Sequence, residues 1–235
     1  MTGSLTSIFG VSLVDWLMSI HGLAVVANNF HLFLIGTLIT LEITALSVGM
    51  GMILGLLIAL MKMSRVKFIS IIGVAYIDFF RGTPLLVQLM LFHFGILPLF
   101  FDTGPFVSAV ITCGLNSAGY IAEIVRAGIQ AVDKGQMEAA RSLGMTHTQA
   151  MKFVVLPQAY KIVIPPLINE FIMLLKDTSL VSVISVAELT FRGKLLYSTT
   201  YEPVWVWGTV CLLYYVVTKS ISMLGDWAER RLATE

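Results

Sequence analysis

Charge is what this chain has least of. Only 12% of its 235 residues are Asp, Glu, Lys or Arg, about half the ~25% usual in soluble proteins. Hydrophobic residues make up 57%, more apolar surface than a soluble core of this size can use. The chain therefore reads as an integral membrane protein. Its net charge is +1 and no basic run is interleaved with aromatics, so nucleic acid is not among the expected partners. Cysteine is scarce: Cys113 and Cys211 both fall in apolar stretches, which implies no disulfide framework and leaves the redox compartment unreadable. Histidines are too scattered for a metal site, and His21 and His31 read as ordinary residues near an interface. There is no G-x-x-x-x-G-K-[ST], so the chain holds no ATP itself. Neither H-E-x-x-H nor G-x-S-x-G occurs, and a hydrolase built on Ser117 would have no base spaced to serve it. The expectation is no catalytic residue, no metal and no cofactor. The first residues lack a basic n-region and a small-residue cleavage site, so no cleavable signal peptide is expected.

Apolar runs and basic residues lay out the spans. Residues 1–30, with Trp16 and a short apolar run, predict an N-terminal interfacial helix, because a span needs about 20 apolar residues. Spans are expected at 33–61, at 68–97 with an interruption at Arg81-Gly82-Thr83-Pro84, and at 105–129, 157–176 and 204–227. Gly51 and Gly55 form a GxxxG in the first, and Pro165-Pro166 should kink or partly unwind the fourth. No Lys or Arg precedes Lys62, whereas Lys62, Arg65 and Lys67 follow the first span and five basic residues lie in 126–161. The positive-inside rule then predicts an all-α polytopic protein of five transmembrane helices, N-terminus outside and C-terminus cytoplasmic. Arg192 and Lys194 run against that rule, in a segment (177–203) expected outside as a short helix lying back on the membrane.

Between the third and fourth spans stands EAARSLGMTHTQAMKFVVLPQA, residues 138–159. Its helix formers, the interruption at Gly144, a cap from Thr146 or Thr148 and a stop at Pro157 predict two short helices about a glycine. Such a pair suits docking on a partner, and it equally suits a polar connecting loop.

Three clusters of polar residues sit inside the spans, where each charge asks for a reason. Asn116, Tyr120 and Glu123 fall at i, i+4 and i+7, hence on one helix face, among Gly114, Ser117, Ala118 and Gly119. Those small residues allow either a helix break that exposes backbone to a zwitterion, or a close helix–helix interface with Glu123 paired to Arg126. Pro84 should kink the second span, with Asp78 and Arg81 as an ion pair and Thr83 and Gln88 as lining groups. At the end of the fourth span, Lys176-Asp177-Thr178 is either an interfacial pair or a site where Asp177 meets an ammonium group; Asn169, Met173 and Lys176 share a face there.

The spacing in the 138–159 stretch is specific. Glu138-Ala139-Ala140, three residues, Gly144, nine residues, Val154, one residue and Leu156-Pro157 resembles the EAA loop of permease subunits of ABC importers, with Val154 in place of an isoleucine. YIDFFRGTPLLVQL, GLNSAGYIAEIVRAGI and LLKDTSLVSVISVAELT resemble segments of the polar amino acid permeases, with Gly119 where that family often has Ala and Ala127 where it often has Gly. The likeness runs from about Thr37 to Arg231. It implies a type I ABC importer permease fold over residues 31–232 with a cytoplasmic coupling loop at about 131–159. It also implies a function, ATP-driven uptake of a polar amino acid across a prokaryotic cytoplasmic membrane. The implied partners are a second, identical or paralogous permease, an ABC ATPase dimer that binds the ATP, an extracytoplasmic amino acid-binding protein and membrane lipid. Asn116, Ser117, Tyr120, Glu123, Thr83, Gln88, Asp177 and Thr178 become candidates for the substrate path. Glu138, Ala139, Ala140, Gly144, Leu156 and Pro157 become candidates for ATPase coupling, with Gly144 as hinge. A permease for another small polar solute, a structural or regulatory membrane subunit, and a self-sufficient transporter or channel are the rival readings.

Overall fold

A computed structural model of the chain describes residues 13–233, and the regular elements among them are all helical. In chain order they are α1 (Leu13–Lys62), α2 (Lys67–Gly82), α3 (Leu85–Met90), α4 (Pro105–Ala131), α5 (Lys134–Ser142), α6 (His147–Ala150), α7 (Leu156–Asp177), α8 (Leu189–Thr200) and α9 (Pro203–Ala233). A π-helical turn, Leu91–Ile96, and a 3-10 turn, Leu97–Leu99, prolong α3. A second π turn, Met151–Val155, joins α6 to α7, and a 3-10 turn, Thr178–Ile184, follows α7.

Among the described residues three helices are long and apolar enough to cross a membrane: α1 over Ile20–Lys62, α4, and α9 over Pro203–Arg231. The bent α2–α3 pair counts as a fourth. α7, expected as the fourth of five spans, carries Lys161, Glu170, Lys176 and Asp177 within 22 residues and falls below the same measure.

α1 passes through the expected division near residue 30 without a break. It runs for 50 residues, about 75 Å at 1.5 Å per residue, against a hydrocarbon core of about 30 Å. No proline interrupts it, and Asn29, a helix-weakening residue, turns its Nδ2 back to the Val25 carbonyl at 2.8 Å. Part of this expected interfacial segment packs on the rest of the chain, while Ile20, Leu23 and Phe30 stay exposed. Val26 and Phe33 share a buried cluster with Leu189 and Leu196 of α8 and Val206 and Val210 of α9. Gly22 lies flat on Trp205, where a Cβ would stand 2.0 Å from the indole. Residues 1–12 of the expected interfacial segment lie outside the described residues.

α1 and α4 form the central seam, and glycines set its depth. A Cβ on Gly55 would stand 2.9 Å from Ile121 Cβ and 3.0 Å from the Ala118 carbonyl; one on Gly51 would meet Ser117 Oγ at 3.2 Å. From the other side Gly114 receives the Met50 methyl, which a Cβ would approach to 2.1 Å. The GxxxG thus does what its spacing predicts. The small residues of α4 turn out to serve this interface and the one with Phe80, and α4 shows no helix break, so the backbone-exposing alternative is excluded. α7 likewise remains helical through Pro165 and Pro166, so of the kink or partial unwinding expected there the unwinding does not occur.

Candidate functional site

The site is built on the elbow between α2 and α3. Pro84 has no N–H to donate and keeps Thr83 out of the helical region. Thr83 and Pro84 accordingly adopt extended backbone (φ −122°, ψ 146° and φ −66°, ψ 136°), and the two helical pieces diverge by 105°. Such a break orphans carbonyls inside an apolar bundle, where each unpaired one is costly. Gln88, 1% exposed, answers this. Its Nε2 lies 3.0 Å from the Phe80 carbonyl, 3.1 Å from that of Thr83 and 2.7 Å from Thr83 Oγ1. Across the seam, Asn116 Nδ2 donates to Gln88 Oε1 at 2.9 Å and to the Phe80 carbonyl at 3.1 Å. One helical turn nearer the start of α2, Tyr76 Oη donates to the Leu115 carbonyl at 2.8 Å.

Beside this amide network Ser117 Oγ donates to a carboxylate oxygen of Glu170 at 2.8 Å. Arg81 and Asp177 are both electrostatic neighbours of Glu170, and the Arg81 guanidinium lies over the Tyr120 ring, 5.2 Å from its centroid. Arg81, Tyr120, Asn169, Met173 and Lys176 are exposed on the single chain. The result is a polar seam with a buried side (Gln88, Asn116, Ser117) and a more open side carrying Arg81, Tyr120 and the half-buried Glu170 carboxylate.

Several expectations give way here. Asn116, Tyr120 and Glu123 do not converge on one site. Asn116 is tied to the elbow, Tyr120 to Arg81, and Glu123 to Lys62 at the end of α1 and to Arg126, whose Nη2 lies at 2.8 Å. Glu123 is therefore an ion-pair partner joining α1 to α4, which its position three residues before Arg126 allowed. Arg81 forms no ion pair with Asp78, which lines a separate groove with Arg65 and Lys67. Thr178 is fully buried and donates to the Leu175 carbonyl at 2.7 Å, so it caps a helix end and lines nothing. Asp177 stays half-buried near Glu170.

Two carboxylates that sequence reasoning missed matter more. Glu170 sits next to Asn169, whose face was singled out; a lone acid amid NEFIMLL was the available signal. Glu188, 0% exposed, accepts from the Thr190 and Phe191 N–H groups, both at 2.8 Å, and from Tyr214 Oη at 2.9 Å. It caps α8 and ties that helix to α9, with Thr40 of α1 at 3.5 Å. Burial pushes its carboxyl above the ordinary carboxylate range, and these hydrogen bonds pull it back. An acid immediately before a helix start was its legible signal.

At the far end of α4 lies the second candidate element. Asp133 caps α5 through the Gly135 N–H at 2.7 Å. α5 closes with Met145 N–H on the Ala140 carbonyl and Gly144 N–H on that of Arg141, at 3.2 and 3.0 Å, with Gly144 at φ +89°. This left-handed closure favours glycine for backbone reasons, since a Cβ there would meet nothing within 4 Å. Of the two threonines offered as a cap, Thr146 serves, in a reciprocal box with Gln149. Pro157 stops nothing. It lies at the junction of the π turn Met151–Val155 with α7, and α6, the π turn and α7 form one continuous helical run through it. Ala140 is buried while Glu138, Ala139, Gly144, Leu156 and Pro157 face outward, as do Leu143 at 83% exposure and Phe153 at 62%.

Residues 51–234 match the family model described as binding-protein-dependent transport system inner membrane component. The chain belongs to that family. It is a transport component and not an enzyme. Among curated relatives it is 41% identical over 201 residues to the arginine transport system permease protein ArtQ of Bacillus subtilis (strain 168), covering 84% of this chain and 90% of ArtQ. It is 42% identical over 199 residues to the L-cystine transport system permease protein TcyB of the same organism, at 84% and 85% coverage. To the glutamine transport system permease protein GlnP of Escherichia coli (strain K12) it is 35% identical over 200 residues, at 84% and 91%. A crystal structure of an amino acid ABC transporter with histidines superposes with a TM-score of 0.84 at 46% identity, covering 87% of this chain and 96% of that one. An inward-facing structure of the methionine ABC transporter MetNI shares the fold, with a TM-score of 0.73 at 21% identity over 87% and 98% of the two chains. The chain thus has the all-α permease fold that its EAA-like spacing implied.

Proposed function

We propose that this chain is the transmembrane permease subunit of an ATP-driven importer that moves a polar amino acid across a prokaryotic cytoplasmic membrane. The observation that carries the reading is the polar seam: a guanidinium (Arg81) and a half-buried carboxylate (Glu170) near one another in an apolar bundle, backed by the amide network of Gln88 and Asn116. A zwitterion offers the complementary pair, its carboxylate to Arg81 and its ammonium to Glu170, with Tyr120 beside them. The relatives named for arginine, cystine and glutamine support an amino acid as cargo. In this reading Asn116, Thr83 and Gln88 hold the elbow that shapes the path, Ser117 orients Glu170, and Asp177 adds negative charge. Thr178 and Glu123 serve the helix framework.

The second half of the reading concerns coupling. α5 and α6 form the cytoplasmic face on which a separate ATPase docks and supplies the hydrolysis, with Leu143 and Phe153 as apolar anchors and Gly144 as the pivot. The membrane orientation follows from the basic residues, five spans with α7 as the fourth, N-terminus outside and C-terminus inside. A second permease copy or paralogue completes the path, and an extracytoplasmic binding protein delivers the amino acid. ATPase activity of the chain co-purified with its ATPase in lipid, read with the binding protein and a panel of amino acids, tests this. Stimulation by one amino acid class is expected. A complex that forms but ignores every amino acid would overturn the cargo, and failure to form any complex would overturn the coupling role.

A further inference from the structure

At the root of the α5–α6 element, the end of α4, the start of α5 and the π turn Met151–Val155 enclose a cleft of about 490 Å³. Small-molecule sites typically occupy roughly 300–1,000 Å³. Ile129 on the cleft wall is 13 residues along α4 from Asn116, about 20 Å at 1.5 Å per residue, so the cleft lies well apart from the polar seam. Its floor is hydrocarbon and thioether: Val132 and Val155 are buried, and Ile129, Met137 and Met151 pack on them. Methionine's unbranched chain lets such a floor adapt to more than one apolar shape. The rim is polar. Asp133 and Lys134 are the charged residues among the described ones that line it, one of each sign. Lys134 is exposed and forms no ion pair among the described residues. Asp133 uses Oδ1 to accept from the Gly135 N–H at 2.7 Å, which leaves Oδ2 open. Gln130 accepts from the Arg126 guanidinium through Oε1, which leaves its amide N–H groups to donate. Arg126 itself is held by Glu123.

An apolar floor under one cation, one anion and an amide donor matches a free amino acid with an apolar side chain. Its carboxylate meets Lys134 and Gln130, its ammonium meets Asp133 Oδ2, and its side chain lies on the methionines. An apolar side chain from a docking protein would leave both rim charges unmatched, and the exposed Leu143 and Phe153 do not line this cleft. We propose that the cleft binds one zwitterionic amino acid with an apolar side chain, at a site separate from the cargo path. Bound there, it ties the end of α4 to the first turn of α5 and to the π turn. It thereby restrains the element that carries coupling in the proposed function. That consequence, and the cytoplasmic side of the site, rest on the proposed function; the ligand class does not.

The test is equilibrium binding of tritiated L-leucine to the full chain in lipid nanodiscs, carrying Arg81→Gln so that the polar seam takes no part. One L-leucine per chain is expected. L-methionine should displace it, whereas leucinamide, which lacks the carboxylate, and 4-methylpentanoate, which lacks the ammonium, should not. Lys134→Met should weaken binding roughly ten-fold. Asp133→Asn, which keeps an oxygen for the Gly135 N–H and so keeps α5 capped, should do the same. Met151→Trp, which fills the floor, should remove binding without changing the elution profile. Slower hydrogen exchange over residues 133–137 on adding L-leucine is the expected mark of the restraint. Absence of saturable binding overturns the proposal, as does binding indifferent to both Lys134→Met and Asp133→Asn. Displacement by leucinamide and 4-methylpentanoate as readily as by L-methionine overturns the zwitterion, and unchanged exchange over 133–137 overturns the restraint. Amino acid-stimulated ATPase activity of the wild-type complex reports separately on the proposed function, since L-leucine binding to the cleft needs neither ATPase nor turnover.

Discussion

Glycine holds the two most distinctive regions of this molecule, for opposite reasons. In the α1–α4 seam, Gly51, Gly55 and Gly114 are helical, and what they lack is volume: each Cβ would meet Ser117, Ile121 or Met50. In the α5–α6 turn, Gly144 has open space on every side, and what it supplies is a left-handed backbone at φ +89°. The seam is set by its neighbours and the turn by its own torsions. A substitution in the seam should therefore be felt by the whole bundle, and one in the turn by function alone.

That contrast can be broken experimentally. The largest effect is expected for Gly55→Val, which forces branched carbon against Ile121 and the Ala118 carbonyl. About 3 kcal/mol of overpacking strain should appear as a lowered thermal midpoint and loss of monodisperse protein in detergent. Next comes Asn116→Ala, which removes the donor to Gln88 and to the Phe80 carbonyl. About 1–3 kcal/mol should be lost globally, with uptake falling because the elbow loosens. Gly144→Ala costs about 1–2 kcal/mol locally but should leave the thermal midpoint of the bundle in place while coupled ATPase activity drops. Gly144→Asn, better tolerated in that conformation, should retain more. If Gly144→Ala instead unfolds the bundle, the division between the two regions fails. The smallest effect is expected for Thr146→Ala, which breaks the box with Gln149 and costs about 1 kcal/mol. Faster hydrogen exchange confined to residues 146–150 would register it.

The path and the coupling element differ as well in how far they could be read in advance. The turn was legible because its signals are local: Gly144 after a helix-forming run and a capping threonine just beyond it, Thr146 or Thr148, act within one turn of backbone, and the structure chose Thr146. The elbow at Thr83-Pro84 was legible for the same reason, and so was the GxxxG, whose spacing alone places both glycines on one face. The site was only partly so. Asn116, Tyr120 and Glu123 do share a face of α4, yet that face spans three environments, because α1, α2, α3 and α7 each cover a different stretch of it. Glu123 was claimed by Lys62, 61 residues away, and Ser117 by Glu170, 53 residues away.

What the sequence determined by itself was the solvent, the helical class, the distribution of basic residues, the elbow, the capped turn and the family. Each of these is fixed by composition or by residues within a turn of one another. Only the tertiary structure decided that α1 runs unbroken past residue 30 onto α8 and α9, that Glu170 and Arg81 share one seam, that Glu188 is a buried cap, and that Thr178 is hidden. Those outcomes depend on which helix faces meet. In a chain with 57% hydrophobic residues apolar patterning hardly distinguishes one face from another, so the choice falls to the close fit of glycines and to a few long-range hydrogen bonds.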